Sequence, residues 1–241
     1  MTEVRKCIFC GAGPLTKTHI ISKKLQDMLP PMDAQSARRS WWGNVETGES
    51  IDDSRVVNVS PLNHQVKRAC AGCNNYWMND IEESTRALVV SLAAGEARIL
   101  SPKEWHDLAT WSTIVAMLRA TQEGGPSIMH PNDYQYIRDT SSPPPGYHFA
   151  LLRGVRRDDL PTRHSRNTLS GVETHVTFFW IGEMIALVFN DWAIRQISRK
   201  LGLIHSSRAF DCPDGSVPWP PRSAVTFETL FTVTDIFSPQ N

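Results

Sequence analysis

The chain has no run of eighteen apolar residues, so no membrane-spanning helix is expected. Its opening, "MTEVRKC", has no apolar stretch of the kind a secretory leader needs, and the expectation is a cytoplasmic protein with no membrane partner. It also has no net charge: 25 Lys and Arg balance 25 Asp and Glu. That balance argues against a strongly electrostatic nucleic-acid binder. No glycine-rich phosphate loop or nucleophile elbow occurs, which makes nucleotide hydrolases and ester hydrolases poor candidates. Internal repeats are absent. Six of the histidines (His106, His130, His148, His164, His175 and His205) form no close-spaced ligand pair and receive no role.

What is present is an ordinary globular composition, with 41% hydrophobic residues over 241 positions, enough to build a real core. The charges are unevenly spread. Residues 1–39 hold seven Lys or Arg against three acids, residues 40–54 hold four acids and no base, and residues 55–75 hold three bases and no acid. If the acidic stretch loops away, a local basic face is left that can meet phosphates.

Four of the five cysteines form two C-x-x-C pairs, Cys7/Cys10 and Cys70/Cys73, while Cys212 reads as a plain buried thiol. Without an export signal, this arrangement favours a metal over disulfides. Four thiolates suit a tetrahedral, closed, structural zinc. The 59 residues between the pairs (11–69) exceed the usual ribbon spacing. Loop-closure entropy, however, grows only logarithmically with length.

Along the chain, "GAGP" reads as the knuckle turn, "LTKTHII" as a short strand and "ISKKLQDML" as a helical turn stopped at Pro30–Pro31. Residues 33–55 read as a long polar loop, with Trp41 and Trp42 either anchoring it or stacking on bases. "RVVNVS" is strand-like. A helix is expected from about Cys73, capped by Asn74 or Asn75, with Trp77, Ile81, Leu88 and Leu92 as its apolar stripe and Gly95 as its end. A second helix is expected from a Ser101 cap and Pro102, with Trp105, Leu108, Val115 and Leu118 on its apolar face. A shorter helix is expected over "HPNDYQYIRDT". After the breaker "SSPPPG" come the strands "YHFALLRGV", "ETHVTFFWI" and "MIALVFNDWAI", the last two joined as a hairpin at Gly182–Glu183. "VPWPPRSAV" reads as extended, and "TFETLFTVTDIF" as a closing helix or strand.

The ordered set Cys7-x-x-Cys10, "LTKTHIIS" with His19, and "CAGCNNYW" with Asn74 resembles the HNH endonuclease family in its zinc-ribbon form. More narrowly, "LTKTH", "CNNYWMNDIE" and "SSPPPG" are similar to the "LTKEH", "CNNGWMS-x-LE" and "PPPG" segments of a largely uncharacterised bacterial group within it. The first resemblance covers about residues 1–83, and the narrower one extends more weakly over most of the chain. It implies His19 as general base, Asn74 as a ligand of a catalytic divalent cation such as magnesium, and Asn63, beside His64, as the residue orienting the base. It also implies DNA as the partner, with Lys23, Lys24, Lys67 and Arg68 holding its backbone. One departure stands out: the metal-binding acid before the catalytic His is Thr18 here. Hard cations are held mainly by carboxylates, so a replacement is sought among Asp52, Asp53, Asp80 and Glu82. Glu82 shares a helix face with Asn75 and Asn79 and has the best geometric claim.

The expected fold is α+β: an N-terminal zinc-ribbon ββα-metal module over 1–83, then paired helices and an antiparallel sheet in a group-specific region over 84–241. The expected function is metal-dependent hydrolysis of DNA phosphodiesters. The alternatives are a non-catalytic zinc module that binds nucleic acid or protein, and a nuclease restrained by its C-terminal half.

Overall fold

The structure is a computed structural model. It describes residues 6–29, 36–37, 41–43, 50–52, 58–59, 62, 64–121, 129–154, 162–169, 172–190 and 217–219. In chain order the elements begin with β1 (Leu15–His19), α1 (Lys23–Gln26), β2 (Ser36–Ala37), β3 (Trp41–Gly43), β4 (Ser50–Asp52), β5 (Asn58–Val59) and β6 (Gln65–Cys70). A π-helical turn (Cys73–Trp77) leads into α2 (Met78–Ala93), followed by β7 (Arg98–Leu100), α3 (Pro102–Ala120) and α4 (Pro131–Thr140). Strands β8 (Tyr147–Arg153), β9 (Thr162–Leu169), β10 (Val172–Ile181), β11 (Met184–Asn190) and β12 (Val217–Trp219) complete the described set. The fold is α+β with antiparallel sheets. Among the described residues, no helix is long and apolar enough to cross a membrane.

Two parts of this architecture position the site. Strands β1 and β6 pair antiparallel, Leu15 opposite Cys70 and His19 opposite Gln65, with a bulge between Thr16 and Thr18. The chain then turns from β6 directly into the π turn and α2. The second part is the four-stranded sheet β8-β11-β10-β9, on which α3 lies. Trp105 packs edge-on against Phe149 at 5.0 Å, and Trp111 against Phe179 at 5.4 Å. One buried cluster runs from Cys7 and Phe9 through α2 and α3 to Phe179 and Trp219, and α2 carries the chain across residue 83 without a break.

Several local expectations are met where the signal is local. Ser101 and Glu104 form a reciprocal capping box with Pro102 at the first turn of α3. His130 caps α4 ahead of Pro131. The β10–β11 hairpin turns at Gly182–Glu183 with Ile181 opposite Met184. This turn seats on the end of α2, where the Glu183 backbone N–H donates to the Ala93 carbonyl at 2.8 Å.

Other expectations are corrected. Asn74 and Asn75 do not cap a helix. Helical backbone already begins before Cys73, and the two asparagines lie inside the π turn, which has no side-chain cap. The stretch read as a loop over 33–55 includes the paired strands β3 and β4, and β2 pairs with β5. α3 shows no polar face over its middle: every residue from Leu108 to Leu118 is buried. Strands β6, β7 and β9 had no expectation. Asn63, Asp53, Cys212 and "TFETLFTVTDIF" lie outside the described residues.

Candidate metal centre and adjoining cleft

The two Cys pairs come together because β1 and β6 bring the ends of a long insertion side by side. At the first pair, the Gly11 N–H donates to the Cys7 carbonyl at 2.8 Å, and the Cys7 N–H to the Ala12 carbonyl at 2.9 Å. Gly11 takes a left-handed φ of 72°, a conformation that glycine adopts without a steric cost. At the second pair, the Cys73 N–H donates to Cys70 Sγ at 3.5 Å. The four sulfur atoms of Cys7, Cys10, Cys70 and Cys73 all lie within 4.8 Å of one another.

This donor set fits a metal. With Zn–S bonds of about 2.3 Å, tetrahedral sulfurs stand about 3.8 Å apart, and Cys10 Sγ and Cys70 Sγ are separated by 3.5 Å. A disulfide needs about 2.05 Å, so all four cysteines are free. Cys70 has its thiol lowered to about 7, chiefly by the Cys73 backbone N–H that donates to it. Burial pushes the Cys73 thiol up, and that of Cys10 less so. Four cysteines thus form a site able to hold an ion such as zinc, which would serve as structure, its coordination being closed.

Beside this centre lies a cleft of about 300 Å³ whose lining includes Lys17, His19, Asn74, Asn75, Asn79 and Glu82. His19 and Asn74, from separate elements, therefore share one cleft. The His19 Nε2 atom lies 2.8 Å from the Gln65 side-chain amide. Its Nδ1 is buried and has no hydrogen-bond partner. Thr18, on the buried face of β1, is 1% exposed, and its hydroxyl is also without a partner. The Asn74 amide donates to the Asn75 side-chain oxygen at 3.1 Å.

The basic residues are distributed unequally around this cleft. Lys23 pairs with Asp27 at 2.6 Å and Lys24 with Glu83 at 3.1 Å, both well exposed. Lys67 is exposed on β6, and Arg68 donates to the Thr121 carbonyl at 3.4 Å. Lys17 lines the cleft and is engaged by no other side chain of the described residues. It drew no notice in the sequence because its relevance comes only from lying two residues before His19 on the same strand.

The cleft does not fit a hard cation held by the chain alone. Its one carboxylate among the described lining residues is Glu82, and that carboxylate is committed. One oxygen accepts from the Ser22 hydroxyl and from Arg86 at 3.4 Å, and the other accepts from the Ser22 backbone N–H at 3.3 Å. Among the described residues, the four thiols form the one group of three or more Cys, His, Asp or Glu placed to hold an ion. Asp52 is described in backbone only, in β4, and Asp80 is exposed outside the lining.

No protein-family model, curated protein or solved structure matches the chain. The resemblance to HNH endonucleases rests on the motifs quoted above.

Proposed function

We propose that the chain is a phosphodiesterase of the HNH type that acts on DNA, with residues 1–83 as its catalytic module and residues 84–241 as a region specific to its group. The observation that carries this reading is His19, which shares a cleft with Asn74 and keeps a buried, unpartnered Nδ1. The order strand, antiparallel strand, helix beside a four-thiol cluster supports it, because that is the arrangement the resemblance implies.

The chemistry follows from the tautomer. A neutral imidazole has one donor and one acceptor nitrogen, and the partner of one decides the role of the other. The Gln65 amide can turn either its nitrogen or its oxygen toward His19 Nε2. When the oxygen faces Nε2–H, Nδ1 keeps its lone pair, and it can act as base once a turn of the ring brings it from its buried position to water in the cleft. Lys17 meets the phosphate oxygens, and Lys23 and Lys24 exchange weak exposed ion pairs for the backbone. In the family a divalent cation supplies further charge stabilisation. Here the described residues lining the cleft provide no free carboxylate for one, and no step is assigned to it.

A second reading has its own support. With Glu82 tied to Ser22 and Arg86, the module can hold DNA without cutting it. The deciding experiment is nicking of supercoiled plasmid by wild type, His19→Ala and Gln65→Met, all verified to carry zinc, with and without magnesium. Catalysis predicts that His19→Ala loses about 100-fold or more, and that Gln65→Met loses in kcat rather than KM. DNA retention without nicking by any variant would replace catalysis with binding.

A further inference from the structure

The charges around the His19 cleft do not cancel, and their pairing shows which one is left over. Lys17, Lys23 and Lys24 line the cleft together with one carboxylate, Glu82. Lys23 lies 2.6 Å from Asp27 and Lys24 lies 3.1 Å from Glu83. Arg86 reaches both Glu82 and Glu83, so these two acids are matched by Lys24 and Arg86. Lys17 has no such counterpart among the described residues. It is exposed on β1 and shares the cleft with His19, while Thr18 between them turns into the interior at 1% exposed.

The neutral lining is set to donate. The Asn74 amide nitrogen donates to the Asn75 side-chain oxygen at 3.1 Å. With the amides so oriented, the Asn75 acceptor is occupied and its N–H groups are left to donate. Asn79, one helical turn on from Asn75, lines the same cleft. Carboxylates are the usual ligands of a hard cation, but Glu82 accepts from the Ser22 hydroxyl, the Ser22 backbone N–H and Arg86. A divalent cation entering here would meet an unmatched ammonium and no free carboxylate of the described lining residues. An anion would meet the ammonium and amide donors together. One unmatched positive charge suits the single negative charge of a phosphodiester.

We propose that this cleft takes a phosphodiester as a bare monoanion, with the Lys17 ammonium in the role that the resemblance gives to a divalent cation. Charge-assisted hydrogen bonds from Lys17 and neutral ones from the asparagine amides hold the phosphate oxygens. Magnesium is therefore no part of the bound complex. The proposal rests on reading the cleft as the DNA site, though not on cleavage there.

The test uses the full chain, verified to carry zinc, in buffer freed of divalent ions by a chelating resin. Binding of a short fluorescein-labelled DNA duplex is followed by anisotropy over a range of potassium chloride. Wild type should bind without magnesium, and added magnesium should loosen the complex as any competing counterion does. Lys17→Met should bind about 10-fold more weakly at low salt, and the slope of log K against log salt should fall by about one. Lys17→Arg should keep both affinity and slope. Failure of wild type to bind without magnesium, or a Lys17→Met affinity and slope equal to those of wild type, would overturn the proposal. So would manganese held in the cleft, seen as a loss of its free electron-paramagnetic signal that Asn74→Ala restores. Plasmid nicking separates this proposal from the nuclease reading. Nicking that appears only with magnesium would sink the bare-anion site and leave the nuclease standing. Lys17-dependent binding with no nicking, with or without magnesium, would do the reverse.

Discussion

Ser22 and Glu82 hold each other across sixty residues of sequence: the Ser22 hydroxyl donates to one carboxylate oxygen, and its backbone N–H to the other at 3.3 Å. The same hydroxyl accepts from the Leu25 N–H at 3.2 Å and so caps α1. Glu82 is 8% exposed, so its removal strands Ser22 and weakens the setting of Arg86. Glu82→Ala should therefore cost about 2–3 kcal/mol, and Ser22→Ala about 1–2 kcal/mol through the lost cap and donor. Because one network is removed twice, the double variant should fall short of the sum by about 1 kcal/mol. Urea denaturation of the metal-loaded proteins measures this, and simple additivity would break the claimed coupling.

Gly182 and Gly72 should respond to alanine in opposite senses. Gly182 turns the β10–β11 hairpin at φ 58°, and a Cβ there would overlap the Ala93 carbonyl. Gly182→Ala should cost about 2 kcal/mol or more, with the left-handed penalty alone supplying 1–2 kcal/mol. Gly72 lies in helical backbone at φ −61° and ψ −46°, and its nearest obstacle is Cys70 Sγ at 3.9 Å. Gly72→Ala should stabilise by about 0.4–1 kcal/mol. Thermal unfolding of the two variants is the check, and a lowered Tm for Gly72→Ala would refute the helical conformation ahead of Cys73.

Glu104 ties stability to acid. The Ser101 backbone N–H, aided by its hydroxyl and by Arg98, holds the Glu104 carboxyl below its usual 4.5. A depressed folded value means that the charged form favours the native state. That contribution is complete above the unfolded value, and it drains away as pH falls from about 4.5 through the folded value. Glu104→Gln should therefore be less stable than wild type near pH 7 by about 1 kcal/mol, with the gap narrowing below pH 4.5. Denaturation curves at stepped pH follow it. A gap that stays constant into acid would show that the charge contributes nothing.

The legible parts of this fold were those whose signals are local. The Ser101–Pro102 start of α3 and the Gly182 turn depend on a few adjacent residues, and both were readable. β6 was not, because "QVKRAC" sets Lys67 beside Arg68 and blurs the alternation of a half-buried strand. The burial of α3 on all sides was hidden by Thr110, Ser112 and Thr113. Two of them resolve their polarity by donating back to the helix, Thr110 to the His106 carbonyl at 2.9 Å and Thr113 to the Ala109 carbonyl at 2.8 Å. The π turn over Cys73–Trp77 had no signature at all, and Asn74 and Asn75 imitate a cap. At the site, the cysteine spacing pointed to a real cluster. The commitment of Glu82 to Ser22 and the openness of Lys17 are facts of pairing between distant segments, which no local pattern carries.

α3 does more than fill the interior. Trp111, Ile114, Val115 and Leu118 form the apolar wall of the cleft that holds His19 and Asn74, and the same Trp111 leans on Phe179 of the sheet. A fragment ending before residue 102 would keep both Cys pairs, His19 and Asn74. It would also strip that wall from the cleft and expose Leu88, Val89 and Leu92 of α2, which are buried in the full chain. The cleft that holds His19 and Asn74 is thus a property of the joined halves, and trimming the chain to its first half would discard the ground on which that half stands.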